Sequence, residues 1–71
     1  MQTKLLKSKR ILLDYSAKQL AEILDIHIHT FRKKEEGKLP FNQREIAILI
    51  EVLKLTPEEV ITIFFAKEVD K

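Results

Sequence analysis

The sequence predicts an all-α domain of five short helices, and three observations carry that reading. One glycine and two prolines in 71 residues leave too few turn formers for a many-stranded barrel or sandwich. Cysteine is absent, which removes disulfides and thiolate metal sites and leaves packing to hold the chain together. Apolar side chains make up 45% and charged ones 34%, enough for one core under a solvated surface, so residues 1–71 read as a single domain. No apolar run approaches the ~18 residues that span a bilayer, and no signal-peptide pattern opens the chain. The expected setting is therefore a cytoplasm, with no membrane partner.

The helices are cut out by their caps. Leu6, Arg10 and Leu13 recur at helical spacing with Leu5 and Leu12 beside them, which predicts an amphipathic first helix over about 3–13. Asp14 and Tyr15 end it. Ser16 and Gln19 form the S-x-x-Q capping box of a second helix, 17–24, whose apolar stripe is Leu20, Ala21, Ile23 and Leu24. A third begins near His27 and stops at Glu36, because Gly37 is the one glycine and suits the left-handed residue after a helix. Asn42 and Glu45 open a fourth over 43–53, feeding Ile46, Leu49, Ile50 and Leu53. Thr56, Pro57 and Glu59 supply cap, N1 proline and N3 acid for a fifth over 57–67.

Charge is divided along the chain. Residues 1–44 hold ten Lys or Arg against five acids, a net of +5, whereas residues 45–71 carry a net of −3. One end suits a polyanion and the other repels it, although an ordinary solvated surface also fits.

The segments K-S-K-R-I-L-L at 7–13, Q-L-A-E-I-L-D-I-H-I-H-T-F at 19–31, E-E-G-K at 35–38 and the capped run at 42–55 resemble the Cro and lambdoid-repressor helix-turn-helix family. The resemblance implies a compact five-helix, lambda-repressor-like DNA-binding fold with helices two and three as the helix-turn-helix. Ala21 is then the small residue at their crossing, Ile26 and Phe31 wedge helix three inward, and Arg10 and Glu35 form an ion pair between helices one and three. The family lays its third helix in the major groove. Carried over residue by residue, Ile28, His29 and Lys33 face base edges with Arg32 alongside, and Lys18, Lys38 and Arg44 take phosphates. Lys33 suits guanine O6 and N7, His29 suits an acceptor, and Ile28 can only touch a thymine methyl. The Arg32-Lys33-Lys34 run equally suits a solvated helix end whose cations meet the macrodipole.

Four residues depart from the family pattern. Asp25 stands where a glycine is usual, Ala17 lacks an amide for phosphate, Glu36 adds a negative charge, and Ile28 replaces a hydrogen-bonding residue. They leave few base contacts and keep a second target open. Taking Ile46, Leu49, Ile50 and Leu53 as the inward face of helix four, Ile48 and Val52 point to solvent. In helix five Ile61 and Phe64 can turn inward, leaving Val60, Ile63, Phe65 and Val69 around the rest. Ile28, Ile48, Val52, Ile63 and Phe65 are thus candidate anchors for a protein partner, unless one core swallows them.

The ending T-P-E-E-V-I-T-I-F-F is similar to the small Cro-like and modulator-of-repression proteins of Gram-positive temperate phages. That likeness implies a bacterial host cytoplasm and a regulator of a genetic switch. Its partner is either operator DNA, read as a possible homodimer over half-sites about 34 Å apart, or the phage repressor itself, bound by an antirepressor. Enzymatic chemistry is not expected. Ser16 has no placed His–Asp partner, no glycine loop cradles phosphate, and a cleft for a small-molecule substrate has little room. His27 and His29 lie about 200° apart on a helix and no nearby Cys completes a site, so His27 reads as a helix-start residue and neither metal nor other cofactor is expected.

Overall fold

The computed structural model describes residues 3–65, and every regular element within them is a helix: α1 (Thr3–Leu12), α2 (Ala17–Leu24), α3 (Ile28–Glu35), α4 (Gln43–Val52) and α5 (Pro57–Val60). The last helix runs straight on into a π-helical segment, Ile61–Phe65. The expected end of helix five at 67, and Val69, lie outside the described residues.

All three capping boxes close in both directions. Ser16 Oγ accepts from the Gln19 N–H at 3.0 Å while Gln19 Oε1 accepts from the Ser16 N–H at 2.8 Å. Asn42 with Glu45, and Thr56 with Glu59, repeat the exchange. Each box satisfies two backbone donors that a helix start otherwise leaves to water.

Helix ends follow one rule, which the single glycine conceals. Asp14 (φ 68°), Asp25 (φ 60°), Gly37 (φ 86°) and Lys54 (φ 53°) all take the left-handed conformation just after a helix. The next N–H in each case turns back to a carbonyl five residues earlier: Tyr15 to Arg10, Ile26 to Ala21, Lys38 to Lys33 and Leu55 to Ile50, at 2.9–3.0 Å. This is the Schellman closure, and aspartate tolerates it because its short polar side chain suits left-handed backbone. Lys54 has no such excuse.

The core is built from Leu6, Leu20, Ala21, Leu24, Phe31, Phe41, Leu49, Leu53, Leu55 and Ile63, with Ala17 at its margin. Phe31 stands edge-on to Phe41, and Phe41 edge-on to Phe64, so an aromatic chain links α3 to the C-terminal segment. α1 delivers Leu6 and the Arg10 side chain inward, but Leu12 is 74% exposed and Ile11 and Leu13 also face out. The expected stripe therefore stops at Arg10.

Helices four and five sit at different rotations from those the apolar pattern suggests. In α4 the buried line is Glu45, Leu49 and Leu53, with Ile46 and Ile50 on one flank and Ile48 and Val52 on the other, all half-buried against the core. The expectation that Ile48 and Val52 stand free is thus corrected, and the cause is Glu45, an acid that turns inward. In the C-terminal segment Ile63 is fully buried and Ile61 exposed, the reverse of the expected arrangement. Apolar residues ring this segment, so pattern alone leaves its rotation open. Val60, Ile63 and Phe64 face the core because the Phe41–Phe64 contact and a Lys9–Glu59 ion pair of 3.2 Å seat it there.

Two outcomes follow from this backbone. Lys54→Gly removes the Cβ clash of left-handed backbone and is expected to raise stability by about 0.5–1 kcal/mol after the entropy cost of glycine. Lys54→Val is expected to lower it; thermal melts of the two variants check the sign of each. The Glu59 carboxyl is held below its ordinary value, first by the Thr56 backbone N–H and then by the Lys9 ammonium. A group whose pKa is lower folded than unfolded stabilises the fold above its unfolded value and loses that contribution as pH falls. Glu59→Gln should therefore flatten the acid limb of a stability-against-pH profile, read by urea midpoints between pH 6 and pH 3.

Candidate nucleic-acid interface

α3 carries the candidate interface, and its inner side is committed to holding it in place. Phe31 is fully buried. Arg10 Nε donates to Glu35 Oε2 at 2.8 Å, Arg10 Nη2 to Glu35 Oε1 at 3.4 Å, and Arg10 Nη1 to the Tyr15 carbonyl at 2.9 Å. The guanidinium thus joins the back of α3 to both the body and the C-terminal turn of α1. The pair that the family resemblance implies is formed, with both side chains about nine-tenths buried.

A second ion pair does the same from the other side and is not evident from the sequence. Lys34 Nζ donates to both oxygens of Glu45 at 2.6 and 2.7 Å, and Glu45 is 1% exposed. Glu45 Oε1 also accepts the Asn42 N–H, so one carboxylate caps α4 and anchors α3. Lys34 lies 6.0 Å from the centre of the Phe41 ring. The Arg32-Lys33-Lys34 run is therefore not a uniform solvated helix end: its third member is a buried tie. The available signal is that Glu45 shares the helical phase of Leu49 and Leu53, where an acid has to have a partner.

With its back held, α3 turns His29, Arg32 and Lys33 to solvent. His29 and Lys33 are one turn apart and share a face, with Arg32 beside them. Ile28 is only half available. It packs partly against the core and, with Lys18, Ala21, Glu22, Ile26 and His27, lines a shallow groove between α2 and α3. The groove brings Lys18 and the start of α3 to one place. Lys38 is exposed beyond α3 and meets Glu36 at 3.3 Å on the surface. Arg44 is exposed too, but its Nη1 donates to the Leu24 carbonyl at 3.2 Å, closing the end of α2.

His27 is not helical. Its backbone is extended (φ −69°, ψ 148°) and its Nδ1 accepts the His29 N–H at 3.1 Å, so it is the N-cap of α3. The two imidazoles consequently stack, centroids 5.0 Å apart, instead of pointing 200° apart. Among the described residues no third His, Cys, Asp or Glu joins them.

Of the candidate protein anchors, Phe65 alone stands well exposed, at 61%. Ile28, Ile48 and Val52 are half-buried and Ile63 is buried, for the packing reasons given above. Exposed apolar surface missed by the pattern includes Ile11, Leu12 and Ile61, with Leu13, Ile23 and Leu39 less exposed. No helix among the described residues is long and apolar enough to cross a membrane.

No known protein family, curated protein or solved structure matches the chain.

Breaking either tie leaves an uncompensated charge in the core. Glu35→Gln is expected to cost about 3 kcal/mol or more, whereas Arg10→Met combined with Glu35→Leu should recover most of that loss. Urea denaturation of the single and double variants measures the difference.

Proposed function

We propose that the protein is a Cro-like helix-turn-helix regulator of a phage-type genetic switch, which opposes a lysogenic repressor by binding operator DNA through α3. The observation that carries this reading is the division of α3 into a clamped back and an outward face of His29, Arg32 and Lys33. A helix held rigidly by its inner side, with cations and hydrogen-bond donors on the other, has what reading a major groove demands. Lys18 in α2, Lys38 in the loop after α3 and Arg44 at the start of α4 are exposed and are the proposed phosphate contacts. The excess of basic residues before position 45 suits attraction to a polyanion.

In this mechanism phosphate contacts set the register and Lys33 and His29 discriminate bases. Few base contacts per chain make a second copy on an adjacent half-site the natural source of specificity. A second reading has its own support. Ile61 and Phe65 are exposed near the C-terminal end of the described chain, and Ile28 offers no hydrogen bond to a base. These favour an antirepressor that binds the repressor protein and blocks its DNA binding, with Phe65 as an anchor.

Fluorescence anisotropy on duplexes from the intergenic region beside the protein's own gene tests the two. The log–log salt dependence should fall by about 0.9 for each phosphate neutralised. Lys18→Ala should weaken binding to all duplexes and make that slope shallower by about 0.9. Lys33→Ala should cost about 1–3 kcal/mol and relax preference at one base pair. Binding no tighter than to random duplex, together with capture of the neighbouring repressor that Phe65→Ala abolishes, would overturn the operator reading in favour of the second.

A further inference from the structure

We infer that the cleft between α1 and α3 is a phosphate-binding site, formed by Lys4, Lys7 and Arg32. The cleft is open, about 340 Å³, and lined by these three with Arg10, Glu35 and Glu36. Arg10 and Glu35 neutralise each other in its floor. Glu36, on the rim, is engaged by Lys38. None of the ion pairs among the described residues uses Lys4, Lys7 or Arg32, so three exposed cations line one concavity in which Glu36 is the single carboxylate not held by a buried partner, and positive charge is in excess there.

Two features of α1 make this arrangement unfavourable unless an anion completes it. The first turn of α1 contains no acid, and Lys4 stands in it, at the positive end of the helix dipole. Lys7 follows one turn later on the same side, adding a like charge at a spacing where side chains are neighbours. Lys9 and Lys34, by contrast, have each acquired an acidic partner. A phosphate in the cleft would meet the Arg32 guanidinium as a planar fork and the two ammonium groups as point charges. Arg32 also borders the outward face of α3. The group bound is therefore either a backbone phosphate of the duplex that α3 reads, which rests on the function proposed above, or a free phosphate compound, which does not.

Titration of the full chain with tripolyphosphate, followed by ¹H–¹⁵N NMR, tests the site directly. Saturable shifts confined to Lys4, Lys7, Arg32 and their neighbours are expected, with Lys54 unmoved. Lys4→Ala with Lys7→Ala should weaken binding at least tenfold at a melting temperature no lower than that of the unaltered chain, and Lys4→Arg with Lys7→Arg should restore binding. On duplex DNA the same Ala pair should make the salt slope shallower by about 0.9 per lost contact if the phosphate is the backbone's. An unchanged slope in an Ala pair that has lost its tripolyphosphate binding assigns the site to a free anion. Should the wild-type chain bind no duplex, the reading of α3 fails and tripolyphosphate alone decides the cleft. Uniform shifts, with neither tripolyphosphate affinity nor DNA slope altered by the Ala pair, would overturn the proposal.

Discussion

The structure depends on α3 being clamped from two directions by buried ion pairs. Arg10 reaches it from α1 and Glu45 from α4, at Glu35 and Lys34, adjacent residues on its inner side. Neither pair is a strong source of net stability, because removing two charges from water cancels most of their attraction. Their effect is geometric. A leucine in either place would pack at many rotations of the helix, whereas a guanidinium forked on a carboxylate, or an ammonium shared by two oxygens, permits few. Fixing the rotation of α3 fixes which side chains face out, and the candidate interface follows from that.

The same constraint propagates into α4. Glu45 has to face inward to meet Lys34, so Leu49 and Leu53, on the same phase, become the centre of the buried line. Ile48 and Val52 are then drawn toward the core and lost as free surface. A polar residue that sets the rotation of an apolar helix inverts the usual inference, in which apolar residues choose the face and polar ones take what is left. The charge on Glu45 thereby removes two of the protein-binding candidates, and the surface available to a partner moves to Ile11, Leu12, Ile61 and Phe65.

This explains what could be read in the sequence and what could not. Helix starts were legible because capping is local: Ser16, Asn42 and Thr56 each announce their helix through a residue three places on. The Arg10–Glu35 pair was legible only through a resemblance, since a contact across 25 residues leaves no trace in spacing. Lys34–Glu45 had no such guide. Helix ends were half legible. Gly37 marks one, but Asp14, Asp25 and Lys54 reach the same left-handed backbone, and only the aspartates carry a side chain that hints at it. Least legible was the rotation of the C-terminal segment, where Val60, Ile61, Ile63, Phe64 and Phe65 leave hydrophobicity nearly uniform around the axis. There Phe41 decides, from a loop some twenty residues away.

Held charges and free charges therefore have different functions in this chain. Arg10, Lys34 and Lys9 are each matched to an acid and serve the fold, tying α1, α3, α4 and α5 together. Lys4, Lys7, Lys18, Arg32 and Lys33 have no acid among the described residues and lie on α1, α2 and α3. Pairing Glu35, Glu45 and Glu59 with specific basic partners leaves these five cations outside the ties, on a surface whose shape those ties have set. On the proposed reading, an extended anion would meet these cations without disturbing the ties beneath them. Electrostatic attraction and the rigidity of α3 thus come from two separate sets of residues, so a change to one set can be read without confounding the other.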